Sequence, residues 1–303
     1  MTQDVAVASW ATCSSSGPRK RRPIEANSAG CPVVRKRCSG SFAGPASSAS
    51  CYLLEGERDG RTWRVLLDLG SGGLGSLQRF ADPLEVDAVL FSHLHPDHYF
   101  DISGLYVLWK YHPEGARPRI PVWGPKGVGD QCARAYGLRK DPGMSAEFDF
   151  HEYDDEPLRL GPFTITVREV LHPITAYGFR VEADGAVLVY SGDTGPCQEI
   201  VDLAGGADLF LAESAFVESG TNPVDLHMTG KQAGATAAEA GVSRLVLTHV
   251  PPWHDPETCR SEAGEVYDGP IDLAATGMTY TLPPLPTEPA MHTLLPSPPL
   301  GRH

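Results

Sequence analysis

The sequence predicts an α/β protein in which layered β-sheets are covered by helices. Short runs rich in β-branched and other apolar residues occur in both halves of the 303-residue chain, and segments with helical periodicity lie between and after them. Hydrophobic residues make up 41% of the sequence, which is enough for a sizeable core.

Strands are predicted wherever a short apolar run is bounded by turn residues. These runs are residues 33–38, 51–55, 63–68, 88–92 and 120–123 in the first half, and 163–170, 177–181, 187–190, 209–212 and 245–248 in the second. Helices are predicted at residues 101–112, 127–137, 197–204, 229–240 and 257–266. The fourth helix is rich in alanine and is followed by Gly241, a residue type that commonly ends helices.

The two ends of the chain have the composition of disordered segments. Residues 1–32 are rich in Ser, Ala and Gly and contain a basic run at 18–23, and residues 283–303 are rich in proline. We interpret the basic run as part of a solvated tail, with an arm that binds nucleic acid or a protein partner as the alternative. The sequence therefore predicts a disordered extension at 1–32, one folded domain at 33–282 and a disordered tail at 283–303.

Charge and cysteine content limit the location and the partners. With a formal net charge of -13, broad attraction to nucleic acid or to an anionic membrane is not expected. The seven cysteines form no Cys-x-x-Cys pair, and no apolar run is long enough to cross a membrane. We therefore expect a cytoplasmic protein with a small-molecule partner and no membrane contact, and nucleic acid remains only an alternative.

Four metal-binding side chains occur within six residues after a predicted strand. They are His93, His95, Asp97 and His98, and they follow the apolar run at 86–91. We expect them at the end of that strand and in the following loop. Imidazole and carboxylate ligands suit zinc, with manganese or iron as alternatives. The competing interpretation is a surface turn that happens to be rich in histidine.

Four neighbouring groups cannot complete two ion sites, so further ligands are required at later strand ends. The chain supplies His172, Asp193 and His249, each just after an apolar run. Alone, His172 or Asp193 would be interpreted as an ordinary turn residue. Together with the first cluster, they indicate a site for two divalent metal ions.

With these residues the chain resembles the metallo-β-lactamase superfamily, specifically its phosphodiesterase branch, which contains tRNase Z and class II-type cyclic nucleotide phosphodiesterases. The resemblance covers about residues 33–282 and implies an αββα sandwich with the site at one edge. It implies that one ion is held by His93, His95 and His172, the other by Asp97, His98 and His249, and that Asp193 bridges them. Asp68 matches the family's acidic residue that supports the metal-binding loop.

Two further residues resemble motifs of that branch, namely Glu213 and His227. In the family this histidine faces the scissile phosphate, and true β-lactamases lack the pair. The resemblance implies attack by a metal-bridging hydroxide that Asp97 orients, with His227, protonated through Glu213, assisting the leaving oxygen. It also implies a homodimer, which is common in this branch.

The interval between His172 and Asp193 bears on the substrate. The long-studied type of tRNase Z carries a protruding arm there, whereas here only twenty residues separate the motifs and predict a hairpin over 176–181 and 186–190. The opening segment, 38–52, resembles that of actinobacterial cyclic AMP phosphodiesterase-like members. We therefore expect a small, cyclic nucleotide-type phosphodiester. The alternatives are precursor tRNA, a non-phosphate ester, thioester or lactone, and a non-enzymatic binding role.

Overall fold

The computed structural model describes residues 33–36, 41–44, 47–219 and 221–282. The segments predicted to be disordered, 1–32 and 283–303, lie outside the described residues, and the predicted strand at 33–38 is described only as far as residue 36.

The described strands form two seven-stranded sheets. The first sheet contains β1 (Val33–Lys36), β2 (Tyr52–Arg58), β3 (Arg61–Leu67), β4 (Ala88–Leu90), β5 (Ile120–Gly124), β6 (Phe148–Glu152) and, from the end of the chain, β14 (Thr279–Thr281). The second contains β7 (Leu158–Leu160), β8 (Phe163–Val170), β9 (Ala176–Ala183), β10 (Ala186–Tyr190), β11 (Leu209–Glu213), β12 (Leu245–Thr248) and β13 (Ile271–Leu273).

Each sheet is antiparallel on one side and parallel on the other. The first has the order β14-β1-β2-β3-β4-β5-β6 and becomes parallel from β3 onwards. The second has the order β7-β8-β9-β10-β11-β12-β13 and becomes parallel from β10 onwards. The two halves of the chain therefore repeat one pattern of strand directions.

Helices cover the outer face of each sheet. Against the first sheet lie α1 (Gly73–Leu77), α2 (Pro96–Tyr99), α3 (Ile102–Lys110) and α4 (Val128–Tyr136), and against the second lie α5 (Gln198–Ala204), α6 (Gly230–Ala240) and α7 (Pro256–Gly264). A short 3-10 helix, Pro83–Glu85, precedes β4. In the part of the chain that the structure describes, no helix is long and apolar enough to span a membrane.

Apolar residues are buried in three layers between these elements. In the middle layer, Leu54 and Leu90 of the first sheet pack in one cluster with Phe179 and Leu188 of the second. Two outer clusters lie between each sheet and its helices. Strands buried on both faces are nearly continuous apolar runs, and β12, with the sequence LVLT, is buried throughout. The layers are helix, sheet, sheet and helix, which confirms the predicted αββα sandwich.

The structure adds elements that the sequence did not predict, namely β6, β7, β13, β14, α1 and α2. The helix α2 corrects the prediction of a loop after His95, because Asp97 and His98 lie on this single turn. Pro96 is its first residue, where a proline favours helix formation because its fixed φ suits the helix and no N–H is needed.

Candidate dinuclear metal centre

All seven predicted ligands lie at one edge of the sandwich. They follow the carboxyl ends of four strands: His93, His95, Asp97 and His98 follow β4, His172 follows β8, Asp193 follows β10 and His249 follows β12. β10 and β12 both run parallel to β11. β8 and β10 are both antiparallel to β9, so β8 runs in the same direction as β10 and β12. These three strand ends therefore point to the same edge, where the loop and helix after β4 meet them.

A first cluster contains three imidazoles and one carboxylate. Ligand atoms of His93, His95, His172 and Asp193 all lie within 4.8 Å of one another. His95 Nδ1 lies 3.0 Å from Nε2 of His93 and 3.3 Å from Nε2 of His172. Oδ2 of Asp193 lies 3.6 Å from Nε2 of His93. The structure thus brings together the residues predicted for the first ion.

A second cluster contains two imidazoles and two carboxylates, from Asp97, His98, Asp193 and His249. Nε2 of His249 lies 3.2 Å from Nε2 of His98 and 3.2 Å from Oδ2 of Asp97. Oδ1 of Asp193 lies 3.2 Å from Nε2 of His98 and 3.3 Å from Nε2 of His249. Asp193 therefore presents one oxygen to each cluster, which is the arrangement required of a bridging ligand.

The spacing of these atoms fits divalent cations. Four ligands at about 2.0–2.1 Å around a tetrahedral zinc ion stand about 3.3 Å apart. The closest pairs of ligand atoms in the two clusters are 3.0 to 3.6 Å apart. Lone pairs of nitrogen and oxygen at such separations repel each other unless a proton or a cation lies between them. The donor set therefore fits two metal ions.

Two imidazoles of the first cluster, those of His93 and His172, have lowered pKa values, which favours the neutral form that binds a metal ion. Burial, followed by the charge of His98, lowers the pKa of His93 well below its usual value, so this ring stays neutral and keeps a lone pair. Burial also lowers the pKa of His172, whose Nδ1 lies 2.9 Å from the carbonyl of Leu226. Donation to that carbonyl assigns the proton to Nδ1 and leaves Nε2 for the cluster.

Positive charge is favoured at His98. Burial lowers the pKa of His98, but the carboxylates of Asp193 and Asp68 outweigh it and raise the pKa well above the usual value. The two carboxylates would stabilise a cation at this position in the same way.

Asp68 lies behind the second cluster and is fully buried. Its Oδ2 lies 2.7 Å from Nδ1 of His98 and accepts hydrogen bonds from the hydroxyls of Ser92 and Tyr190, each at 2.8 Å. Its Oδ1 accepts from the backbone N–H of Ser92 at 2.7 Å. Asp68 thereby orients the ring of His98 and directs its Nε2 towards the cluster.

Glu213 and His227 form a pair beside the second cluster. Oε1 of Glu213 lies 2.8 Å from Nδ1 of His227 and also accepts from the N–H of Thr194, while Oε2 accepts from the N–H of Ala215. Burial lowers the pKa of His227, but the charge and hydrogen bond of Glu213 outweigh it and raise the pKa to about 9. His227 is therefore a cation at neutral pH, and its ring centroid lies 5.4 Å from that of His249.

Several contributors to the site were not predicted from the sequence. The carbonyl of Leu226 and the hydroxyls of Ser92 and Tyr190 hold the ligands or their support. Ser92 stands directly before His93, which is a weak signal in the sequence. Nothing in the sequence marks Leu226 or Tyr190, because their roles depend on contacts across 54 and 122 residues.

An αββα sandwich with paired His and Asp clusters at one edge is the architecture of metal-dependent hydrolases. In agreement with this, residues 63–250 match the family model of the beta-lactamase superfamily domain. The chain belongs to the metallo-β-lactamase superfamily, in its phosphodiesterase and ribonuclease Z-like branch.

Three relatives illustrate the range of similarity. An uncharacterized protein of Mycobacterium tuberculosis is 44% identical over 248 residues, which cover 80% of this chain and 89% of the relative. Ribonuclease Z of Myxococcus xanthus is 29% identical over 275 residues, covering 72% of this chain and 88% of the relative. The crystal structure of the metallo-beta-lactamase fold protein YhfI from Bacillus subtilis superposes with a TM-score of 0.73 at 27% identity, covering 83% of this chain and 99% of YhfI.

Proposed function

We propose that the protein is a phosphodiesterase that uses two divalent metal ions, and that its substrate is a small phosphodiester of the cyclic nucleotide type. The observation that carries this proposal is the Glu213–His227 pair, which places a cationic imidazole beside the two clusters. A phosphodiester is an anion with a poor leaving group. It needs positive charge near its oxygens and a proton for the leaving oxygen.

The metal-binding residues and Asp97 account for the attack. When bound, the ions would activate water at neutral pH and offset charge on the phosphate. His93, His95 and His172 would hold one ion and Asp97, His98 and His249 the other, with Asp193 shared. Burial raises the pKa of Asp97, but the hydrogen bond with His249 and the charge of His98 outweigh it and lower the pKa, so Asp97 is ionised and can accept a hydrogen bond from the attacking water.

His227 accounts for the departure of the leaving group. Hydrogen bonds from the backbone N–H groups of Thr194 and Ala215 fix the Glu213 carboxylate, which in turn holds Nδ1 of His227. The other ring nitrogen, Nε2, remains available to donate to the leaving oxygen. The His227 side chain is 17% exposed, so it lies where a substrate can meet it.

The loop between β9 and β10 supports a small substrate. The two strands pair over their whole facing length and are joined by Asp184 and Gly185, both with positive φ (50° and 82°), as a two-residue type I′ turn requires. A turn of this length carries no protruding arm. Together with the net charge of -13, this favours a compact substrate over RNA.

A second candidate function is endonucleolytic processing of the 3' end of precursor tRNA. The similarity to ribonuclease Z of Myxococcus xanthus favours it. A non-phosphate ester, thioester or lactone would use the same ions and stays open as a third substrate class.

We further propose zinc as the occupant of both sites, with manganese or iron as alternatives, because imidazole and carboxylate ligands suit all three. We also propose a cytoplasmic homodimer with a small-molecule partner. Sedimentation equilibrium of the purified protein tests the oligomeric state.

The decisive experiment combines metal analysis with a substrate panel. We expect about two ions per chain and turnover of bis(p-nitrophenyl) phosphate and of 3',5'- or 2',3'-cyclic nucleotides. Precursor tRNA, a thioester and a lactam complete the panel. Preferential cleavage of precursor tRNA would replace our proposal with the second candidate, and preference for a thioester or lactam would refute phosphodiesterase activity. The variant Asp193→Ala is the control for contaminating hydrolases.

A further inference from the structure

Two buried tyrosines lie in contact beneath the second cluster, one from each sheet. Tyr52 begins β2 of the first sheet, and Tyr190 ends β10 of the second. Their ring centroids are 4.8 Å apart, and each residue is 1% exposed. Tyr190 has been described only as a donor to Asp68, and Tyr52 has no role in the function proposed above.

The hydroxyl of each tyrosine reaches the opposite sheet. Tyr190, from the second sheet, donates to Oδ2 of Asp68, which follows β3 of the first sheet. Tyr52, from the first sheet, forms a 2.8 Å hydrogen bond with Oγ1 of Thr248, which ends β12 of the second sheet. The two contacts therefore cross between the sheets.

Both contacts end next to a residue of the second cluster. Asp68 is bound to Nδ1 of His98 at 2.7 Å, and Thr248 immediately precedes His249. His98 lies on α2, which packs against the first sheet, and His249 follows β12 of the second sheet. Their Nε2 atoms nevertheless lie 3.2 Å apart. The separation of the sheets at this point therefore sets the spacing of two ligands.

We propose that Tyr52 and Tyr190 are positioning residues that hold His98 and His249 at the spacing that the second ion requires. The first cluster depends on this pair less directly, since Asp68 reaches it only through Ser92 Oγ, 3.1 Å from Nδ1 of His93, and His172 is oriented by the carbonyl of Leu226. This inference rests on the proposed two-ion site, but it is independent of the substrate.

The test measures metal affinity and does not use activity. The holoprotein is titrated with a chelator, and the ions that remain bound are counted by native mass spectrometry. For Tyr190→Phe we expect one ion to bind about tenfold more weakly, the size typical of losing a group behind a metal ligand, and the other to be weakened clearly less. For Tyr52→Phe we expect a smaller weakening of the same ion, because Thr248 is a neighbour of the ligand and does not touch its ring.

Two variants make the result specific. His95→Ala removes a ligand of the first cluster only, so the ion that this variant keeps identifies the second site. Adding Tyr190→Phe to His95→Ala should weaken that remaining ion about tenfold. Tyr267→Phe is the matched control, because Tyr267 is also buried and donates to the carbonyl of Val242 in the outer layer, away from both clusters.

The outcomes separate this inference from the proposed function. Selective weakening of the second ion in Tyr190→Phe supports it, whatever the substrate panel shows. Equal affinities for the second ion in Tyr190→Phe and Tyr267→Phe would overturn it. Weakening of both ions by the same factor would also overturn it, because that result indicates a general loosening of the fold.

Discussion

Asp193 is the residue on which both candidate ions depend, because its two oxygens face different clusters. We expect Asp193→Ala to lose both ions and all turnover. His95→Ala and Asp97→Ala should also lose turnover, but each removes a ligand from one cluster only. Metal content by inductively coupled plasma mass spectrometry and hydrolysis of bis(p-nitrophenyl) phosphate check this. Unchanged activity in Asp193→Ala would contradict the two-ion site.

His227 is expected to act after the metals are in place. His227→Ala should therefore keep its metal content and lower kcat by about 10²–10⁴, the usual contribution of a general acid. His151→Ala is a control for a histidine outside the site, since His151 stacks on Trp123 of β5. A loss of metal from His227→Ala would indicate a ligand instead of an acid.

The pH dependence follows from the same residue. The pKa of His227 is raised to about 9, so the donor is present at neutral pH and is lost as the pH rises through that value. We expect kcat of the unmodified protein to fall on the alkaline side. Glu213→Gln removes the charge that raises the pKa, and the fall should move to lower pH. A profile that is identical in Glu213→Gln and in the unmodified protein would argue against this role.

Residue types at strand ends made the members of the two clusters predictable, because a metal site needs His and Asp side chains and these stand out after apolar runs. The groups that orient them were not predictable in the same way. Tyr190 is one of ten tyrosines in the chain, and its hydroxyl matters only because folding places it 2.8 Å from Asp68.

Among the elements, the turn after β3 packs directly against the helix α2, and this contact requires a residue without a side chain at Gly70. A Cβ on Gly70 would stand 1.7 Å from the carbonyl oxygen of Asp97, which also accepts the N–H of Ser50. Only glycine allows the loop to approach α2 this closely.

We therefore expect Gly70→Ala to displace α2 and to lower the free energy of unfolding by about 3 kcal/mol or more, at the upper end of single substitutions. Metal affinity should fall with it. Gly75→Ala is the matched control, because Gly75 is exposed in α1 and a Cβ there meets no atom within 4 Å. Chemical denaturation and metal titration measure both effects. Equal stability of the two variants would show that α2 does not need this approach.

The elements missed from the sequence share a physical reason. β7, β13 and β14 have three residues each and lie at sheet edges, where one neighbour and solvent replace a continuous apolar environment. β6 is also an edge strand, and its polar residues obscured the alternation of Phe148 and Phe150. The strands β8 and β12 were predicted with their observed bounds: in β8 the apolar residues Phe163, Ile165 and Val167 alternate with polar ones, and β12 is buried at all four positions.

On the scale of the whole molecule, the ions would join the two sheets. The second cluster contains four carboxylates and imidazoles from both halves of the chain, and Asp68 lies behind it as a fifth such group. We expect removal of the ions with a chelator to lower the melting temperature, because a ligand that binds only the folded state stabilises it. Differential scanning calorimetry with and without added zinc measures the shift. A melting temperature that is the same with chelator, with added zinc and with neither would show that the clusters do not hold metal.

The second cluster joins residues that are far apart in the sequence, and this has a kinetic consequence. His98 and His249 are separated by 151 positions, so the second cluster cannot exist until both halves have folded and docked. Contacts between such distant positions form slowly, because a long stretch of chain must be ordered first. Uptake of an ion by the second cluster would thus be a late event in folding, and we expect a newly made chain to need available metal after its two halves have docked.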